Sequence, residues 1–463
     1  MPHACGDWMA LFGTNGVRGR LDALSPQLAF SLSASFASWC KGGSPVVLAR
    51  DMRLTSPMLH SAALAGILSA GKGALDIGLA SSPVAEFTIA RHKAAGLIII
   101  TASHNAPEWN ALKFVDGNGV AVSRERGAAI EKAALAKSYS QAGWQSVGHH
   151  QQFLGAAGAH AKEAASFVDA AKIRKQKLRI ALDFGNGTSA LSRQLFDALN
   201  CEVIALNGKI DGKFSGRPSE PSEQNVQLLC KAVKKEGCDL GAAWDGDSDR
   251  VVFVDEKGSW IVGDKGFAIS AVQACREAKK QKEKLVVITV ATSRSAEEAC
   301  AELGAKAIYT AVGAPYLSEK MHELGNRAVS GGEEVGGIIW PRFSLAKDGL
   351  LAAAKMCEMI CSEPLSSLVL ELPPYFNSKA KIAASGARAK AAGIAAAKKL
   401  ALSSGGRLAL VDGVRCDFDD GWVIARASGT EDYMRVFAEG KTKKRADSLL
   451  KEYEEAVRAA VSR

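Results

Sequence analysis

Five apolar residues, Gly96-Leu97-Ile98-Ile99-Ile100, run without interruption and stop at the polar segment Thr101-Ala102-Ser103-His104-Asn105. A short apolar run with no polar alternation predicts a strand covered on both faces. Such strands belong to largely parallel sheets flanked by helices. The same plan surrounds it: strands over 46–51 and 75–79, helices over 56–70 and 84–92. Segments 112–115 and 120–122, on either side of Asp116-Gly117-Asn118-Gly119, read as a hairpin. Periodicity fails over 148–161, which reads as a domain boundary. A second unit follows with strands over 178–183, 201–206 and 239–244 and a hairpin over 251–261. A third has strands over 285–290, 306–310 and 327–330. Leu372-Pro373-Pro374-Tyr375 then breaks the alternation. An Ala-rich helix, strands over 407–411, 415–418, 421–426 and 435–439, and a closing helix follow, an α+β pattern. In each of the three α/β units a strand runs into a distinctive loop: 101–105, 245–250 and 331–337. Ligands gather beyond the carboxyl ends of such strands, so three loops in equivalent places predict three domains facing one cleft.

Composition narrows the function classes. The 463 residues are 47% hydrophobic and 23% charged, a globular balance, and no apolar stretch reaches the ~18–20 residues a membrane span requires. Residues 1–10 include Asp7 and lack the apolar region of a signal peptide. Ten cysteines are scattered from Cys5 to Cys416 without a CxxC pair, and the eight histidines offer only the His149–His150 doublet. Reduced thiols in a cytoplasmic protein are the expectation. The net charge of +9 suits either a nucleic acid or a small phosphorylated substrate. With 6% aromatics and dispersed Lys and Arg, the chain shows no stacking groove, and no nucleic-acid or membrane partner is expected.

Four segments carry chemistry. Asp245-Gly246-Asp247-Ser248-Asp249-Arg250 places three carboxylates at alternate positions after an apolar strand. Their repulsion is relieved by a divalent cation, and all-oxygen ligation suits Mg²⁺. A solvated turn or a calcium loop are the alternatives, but Arg250 stands where an EF-hand loop requires glycine. Ser103 follows a buried strand and is expected to be exposed to the cleft as a nucleophile. With no GxSxG elbow, the segment by itself reads first as a loop with a helix cap. Gly331-Gly332-Glu333-Glu334-Val335-Gly336-Gly337 supplies glycines for close approach to a ligand and a carboxylate able to accept sugar hydroxyls, or is a plain glycine-rich turn. Arg426-Ala427-Ser428-Gly429-Thr430-Glu431 with Arg435 offers two guanidinium forks and two hydroxyls, a dianion cradle or a turn with surface arginines.

Together, and in this order, these segments resemble the α-D-phosphohexomutase superfamily along the whole chain. Phe12-Gly13-Thr14-Asn15-Gly16-Val17-Arg18-Gly19 looks like its opening signature, TASHN its phosphoserine loop, DGDSDR its metal loop, GEEVGG its sugar loop and RASGTE its phosphate loop. The sugar loop and the Asp420-Gly421-Trp422 lead look most like archaeal phosphoglucosamine mutase/phosphomannomutase sequences.

The resemblance implies three similar mixed-sheet α/β domains (1–160, 161–264, 265–371) and a smaller C-terminal α+β domain (372–463) around a central cleft. It implies a reversible exchange of phosphate between the 1- and 6-positions of a hexose phosphate, through phosphorylated Ser103 and a bisphosphosugar intermediate. Phosphoglucosamine mutase is the best match, phosphomannomutase or phosphoglucomutase the alternative, and a Mg²⁺-dependent sugar phosphatase the alternative from another class. Ser103, Asp245, Asp247 and Asp249 would bind Mg²⁺. His104 and Arg250 would orient phosphoryl oxygens, and Lys113 and Arg18 would handle a proton or stabilise the phosphoryl group; cationic neighbours can lower a lysine's pKa, as general-base work requires. Glu333, Val335 and Gly336 would meet the sugar. Arg426, Ser428, Gly429, Thr430 and Arg435 would hold the phosphate that is not reacting. The chain departs from the family pattern at Ala106, Ala111, Asp432, Val335 and Gly337, the last two where polar groups are common. A monomer or a homo-oligomer fits equally.

Overall fold

The structure, a computed structural model, describes residues 11–428 and 432–462. Four sheets follow one another along the chain. The first contains seven strands in the order Phe12–Gly13, Gly16–Arg20, Trp109–Asp116, Gly96–Ile100, Val46–Arg50, Ala74–Leu79, His150–Gln152. Its centre is parallel, Val46–Arg50 lying between Gly96–Ile100 and Ala74–Leu79, while Trp109–Asp116 runs antiparallel to its neighbours. The second sheet orders Trp260–Ile261, Val251–Val254, Leu240–Trp244, Arg179–Asp183, Glu202–Leu206. The third orders Ala305–Thr310, Lys284–Thr289, Ala328–Glu333, Gly337–Ile339. The fourth is wholly antiparallel, with Tyr433–Gly440 between Phe376–Ala383 and Gly421–Ala427, then Val414–Phe418 and Arg407–Ala409.

The apolar strands are helix-covered, as their unbroken patterns require: Leu97, Ile98, Ile99 and Ile100 are all buried. One continuous core passes from Val47 through Leu182 and Trp244 to Ile288 and Leu372, so the first three sheets share an interior. The fourth sheet has its own core, from Ile382 to Val457. It meets the third through a small apolar patch of Val290, Trp422 and Ile424, and through Arg415, which stacks on Trp422 and donates to the Val290 carbonyl at 2.6 Å.

Two sequence expectations change, and a third segment gains structure. The hairpin at 116–119 is reduced to a single bridge between Val115 and Ala121, because Trp109–Asp116 extends as a long strand committed to Gly96–Ile100 and Gly16–Arg20. The stretch read as a boundary holds the edge strand His150–Gln152 and the helix Ala156–Phe167. Its polar strand escapes periodicity because all three residues are exposed. Phe376–Ala383 is an additional strand, whose Lys379 and Lys381 face outward from an edge and hide the alternation.

Candidate active site

The nucleophile candidate is the most constrained residue in the cleft. Ser103 leaves the strand Gly96–Ile100 with a left-handed backbone, φ +52°, a conformation that costs a non-glycine residue roughly 1–2 kcal/mol. Its surroundings hold it there. The Ser103 N–H donates to Thr101 Oγ1 at 3.1 Å, and its carbonyl accepts from Arg53 Nη2 and from Ser219 Oγ, both at 2.9 Å. Arg53, fully buried and paired with Asp51, also donates to the carbonyls of Asn105, Ala106 and Trp109. Contrary to expectation, Ser103 is only 3% exposed, because the metal loop packs on top of it.

That loop follows the strand Leu240–Trp244. Arg217, paired with Asp183 at 2.8 Å, donates to the Trp244 carbonyl at 2.7 Å and fixes where the loop begins. Asp245, Asp247 and Asp249 bring one oxygen each within 4.8 Å of the others, all buried. Burial, with repulsion from Asp249 and Asp247, pushes the Asp245 carboxyl well above the usual range. Burial acts the same way on Asp249, but Lys347, Lys113 and Arg250 outweigh it and hold that carboxyl low. Asp247 Oδ1 and Asp249 Oδ1 are buried without hydrogen-bond partners, while Ser103 Oγ donates to Asp245 Oδ2 at 2.6 Å. Unpartnered carboxylate oxygens converging out of water fit a hard divalent cation.

Around this centre the other residues take definite places. Lys113 Nζ lies 2.6 Å from Asp247 Oδ2 and 3.8 Å from Asp249 Oδ2. Pairing opposite Ile99 aims Lys113 at the metal loop, where its ion-pair partners are carboxylates and Lys347 shares Asp249 Oδ2 with it, at 3.0 Å. Ser82 Oγ donates to the same Asp247 Oδ2 at 2.7 Å. His104 Nδ1 stands 3.5 Å from Ser103 Oγ, and Arg250, burial and Arg18 hold its ring well below the ordinary histidine range, so it is neutral. Arg18 Nη1 donates to Asn105 Oδ1 at 2.5 Å, and Arg250 reaches Glu220 at 3.4 Å. Glu333 is buried at the end of its strand, and Lys347 Nζ bridges it, at 2.7 Å, to Asp249, at 3.0 Å.

The sugar loop is tighter than expected. Ala328–Glu333 and Gly337–Ile339 pair directly, so Glu334, Val335 and Gly336 alone make the turn. Gly336 has φ +86°, and a Cβ there would lie 2.3 Å from the Val251 carbonyl oxygen. Gly331 and Gly332 do not free backbone for a ligand; side chains there would strike Met321 and Phe267. On the fourth sheet Arg426 and Arg435 are cross-strand partners. Arg426 Nη2 pairs with Asp412 Oδ2 at 2.6 Å and Arg435 Nη2 donates to Tyr433 at 2.8 Å, yet the Nε of each is buried without a hydrogen-bond partner among the described residues. Ser428 adjoins them, its carbonyl 3.2 Å from Lys390 Nζ; Gly429 and Thr430 lie outside the described residues.

Sequence reasoning missed Arg53, Arg217, Ser219, Lys347 and Ser82. The one available signal was Asp51-x-Arg53 directly after an apolar strand, a spacing that lets a carboxylate orient a guanidinium.

Comparison with known proteins agrees with this geometry. The chain matches the phosphoglucomutase/phosphomannomutase alpha/beta/alpha domains I, II and III over residues 9–141, 159–258 and 262–376, and the C-terminal domain over 376–456. It is 35% identical to a phosphoglucomutase/phosphomannomutase of Thermococcus kodakarensis over 448 residues, covering 95% of this chain and 96% of that one. It is 34% identical to a probable phosphoglucosamine mutase of Methanosarcina barkeri, covering 94% and 96%. A phosphoglucomutase/phosphomannomutase family protein of Burkholderia thailandensis has the same fold, with a TM-score of 0.85 at 24% identity over 98% of both chains. Four domain matches in order, with relatives above 30% identity along nearly the whole chain, place it in the phosphoglucomutase/phosphomannomutase family of the α-D-phosphohexomutase superfamily, as a phosphohexomutase.

Proposed function

We propose that this phosphohexomutase moves phosphate between the 1- and 6-positions of glucosamine phosphate, with Ser103 as the residue that carries it. The observation that supports Ser103 most is its Oγ, 2.6 Å from Asp245 Oδ2 at the edge of the buried carboxylate triad. Phosphorylated Ser103 gives its phosphoryl group to the free hydroxyl of the hexose monophosphate. That hydroxyl loses its proton, the Oγ–P bond breaks and a sugar bisphosphate forms. The sugar turns within the cleft, and its other phosphate returns to Ser103.

Asp245, Asp247, Asp249 and the Ser103 phosphate would hold Mg²⁺, which when bound neutralises charge on the transferring phosphoryl group. His104 and Arg250 orient phosphoryl oxygens, and Arg18, held by Asn105, stabilises the phosphoryl group. Lys113, whose Nζ lies 2.6 Å from Asp247 Oδ2, is the group proposed to handle the hydroxyl proton or to stabilise the transferring phosphoryl group. Glu333, with Oε1 held by Lys347, keeps Oε2 for a ring hydroxyl, and Val335 and Gly336 shape the turn beside it. Arg426, Arg435, Ser428, Gly429 and Thr430 grip the idle phosphate in either orientation of the sugar, because they meet phosphate and not the ring.

Archaeal relatives named probable phosphoglucosamine mutase support the amino sugar. The Thermococcus kodakarensis relative favours glucose or mannose phosphates as the second reading. Rates on glucosamine, glucose and mannose 1- and 6-phosphates, with catalytic sugar bisphosphate, decide between them. The expected result is interconversion without free phosphate and the highest kcat/KM on glucosamine phosphate. Stoichiometric phosphate release would instead identify a phosphatase.

A further inference from the structure

The serine loop and the metal loop come from different sheets, yet Ser103 Oγ and Asp245 Oδ2 are held 2.6 Å apart. Something must join the two backbones. Arg53 anchors the serine loop to its own sheet, and Arg217 anchors the start of the metal loop to its own. Neither arginine hydrogen-bonds across, although the Arg53 guanidinium stacks on the Phe214 ring, 5.0 Å from its centre. Two buried hydroxyls do: Ser82 Oγ donates to Asp247 Oδ2 at 2.7 Å, and Ser219 joins the serine loop itself to the metal loop. Ser219 lies in the segment between the strand Glu202–Leu206 and the helix Gln227–Glu236, and its Oγ donates to the Ser103 carbonyl at 2.9 Å while accepting the Gly246 N–H at 3.0 Å.

The contact is close-packed. A Cβ on Gly246 would lie 2.9 Å from Ser219 Oγ, 3.0 Å from the Ser103 carbonyl oxygen and 3.1 Å from the Phe214 ring. Beyond Gly246, its carbonyl is held by the Thr188 N–H and hydroxyl, each at 3.0 Å. The second loop is thus rigid on its far side, and Ser219 transmits that rigidity to the carbonyl of the left-handed serine.

We infer that Ser219 is a positioning residue for phosphoryl transfer: its hydroxyl locks the serine loop to the metal loop and so sets the reach of Ser103 Oγ. The inference rests on the reading of Ser103 as the phosphoryl carrier. Replacement by alanine leaves the Gly246 N–H without its acceptor and the Ser103 carbonyl with Arg53 alone. Groups proposed to bind sugar and idle phosphate, Glu333, Arg426 and Arg435, lie on other elements and are untouched.

The test compares wild type, Ser219→Ala, Ser103→Ala and Val233→Ala, the last a core truncation beneath the same sheet. Ser219→Ala should lower kcat about tenfold, the scale of one lost buried hydrogen bond, with hexose-phosphate KM within about twofold and a Tm still above the assay temperature. Val233→Ala should lower Tm and leave kcat per folded molecule unchanged. A wild-type kcat in Ser219→Ala would overturn the inference. So would a loss of activity that merely follows the unfolded fraction, as in the Val233 variant. Should Ser103→Ala retain transfer, the carrier reading itself fails; an inactive Ser103→Ala beside a normal Ser219→Ala removes only the role of Ser219.

Discussion

The two ends of the cleft are built in opposite ways. At the Ser103–Asp245 end, each loop is pinned by a buried arginine, the loops are joined by a hydroxyl, and the cores behind them are continuous. At the Arg426–Arg435 end, two cations face each other across a strand pair, each with a buried Nε–H that meets no hydrogen-bond partner among the described residues, on a domain with its own core, attached by a small apolar patch and a few hydrogen bonds. Like charges directly opposite on a sheet are destabilising; Asp412 offsets the charge of Arg426, and a bound anion would offset the rest. Phosphoryl transfer requires reacting groups preset to fractions of an ångström, whereas a grip that must accept the sugar in two orientations gains from being completed by the ligand.

The contrast can be broken at several points. Asp247→Asn should have the largest effect, a fall in kcat on the order of 10³-fold with a raised Mg²⁺ requirement and little change in sugar-phosphate KM, since it strips a desolvated charge from the preset end. Activity retained in the presence of a chelator would contradict it. At the other end Arg426→Ala should raise KM for 1- and 6-phosphates alike by about 10²-fold, the scale of a lost charge-assisted contact, with a smaller change in kcat. Small-angle scattering should show compaction with sugar bisphosphate in the wild type and less of it in this variant. An unchanged KM would place the phosphate grip elsewhere. Glu333→Ala should be mildest, about tenfold in kcat/KM, while Ser103 still accepts phosphate from a bisphosphate donor. A kcat/KM unchanged from wild type on every hexose phosphate would remove its role at the ring.

What the sequence disclosed follows the same division. Ser103, Asp245, Asp247 and Asp249 stand in contiguous segments directly after apolar strands, where local pattern predicts both element and exit point. The residues that fix those groups were silent. Arg53, Arg217, Ser219 and Lys347 act across long stretches of chain, and a buried arginine reads in sequence like any surface cation until its carbonyl partners are known. Lys113 shows the limit from the other side. Its strand was legible, but the carboxylates it pairs with follow a strand of the second sheet and Lys347, which shares Asp249 with it, follows the third, so local pattern could not show them. The glycines of the sugar loop were likewise read for a ligand, when Met321 and Phe267 account for two of them.

The claim that Ser103 carries the phosphate between positions is tested most directly by peptide mass spectrometry after incubation with a hexose bisphosphate. One phosphoryl group should appear on Ser103, leave on addition of excess hexose monophosphate, and be absent in Ser103→Ala, which should lose essentially all transfer. An unphosphorylated Ser103 in a fully active enzyme, or an active Ser103→Ala, would contradict the account.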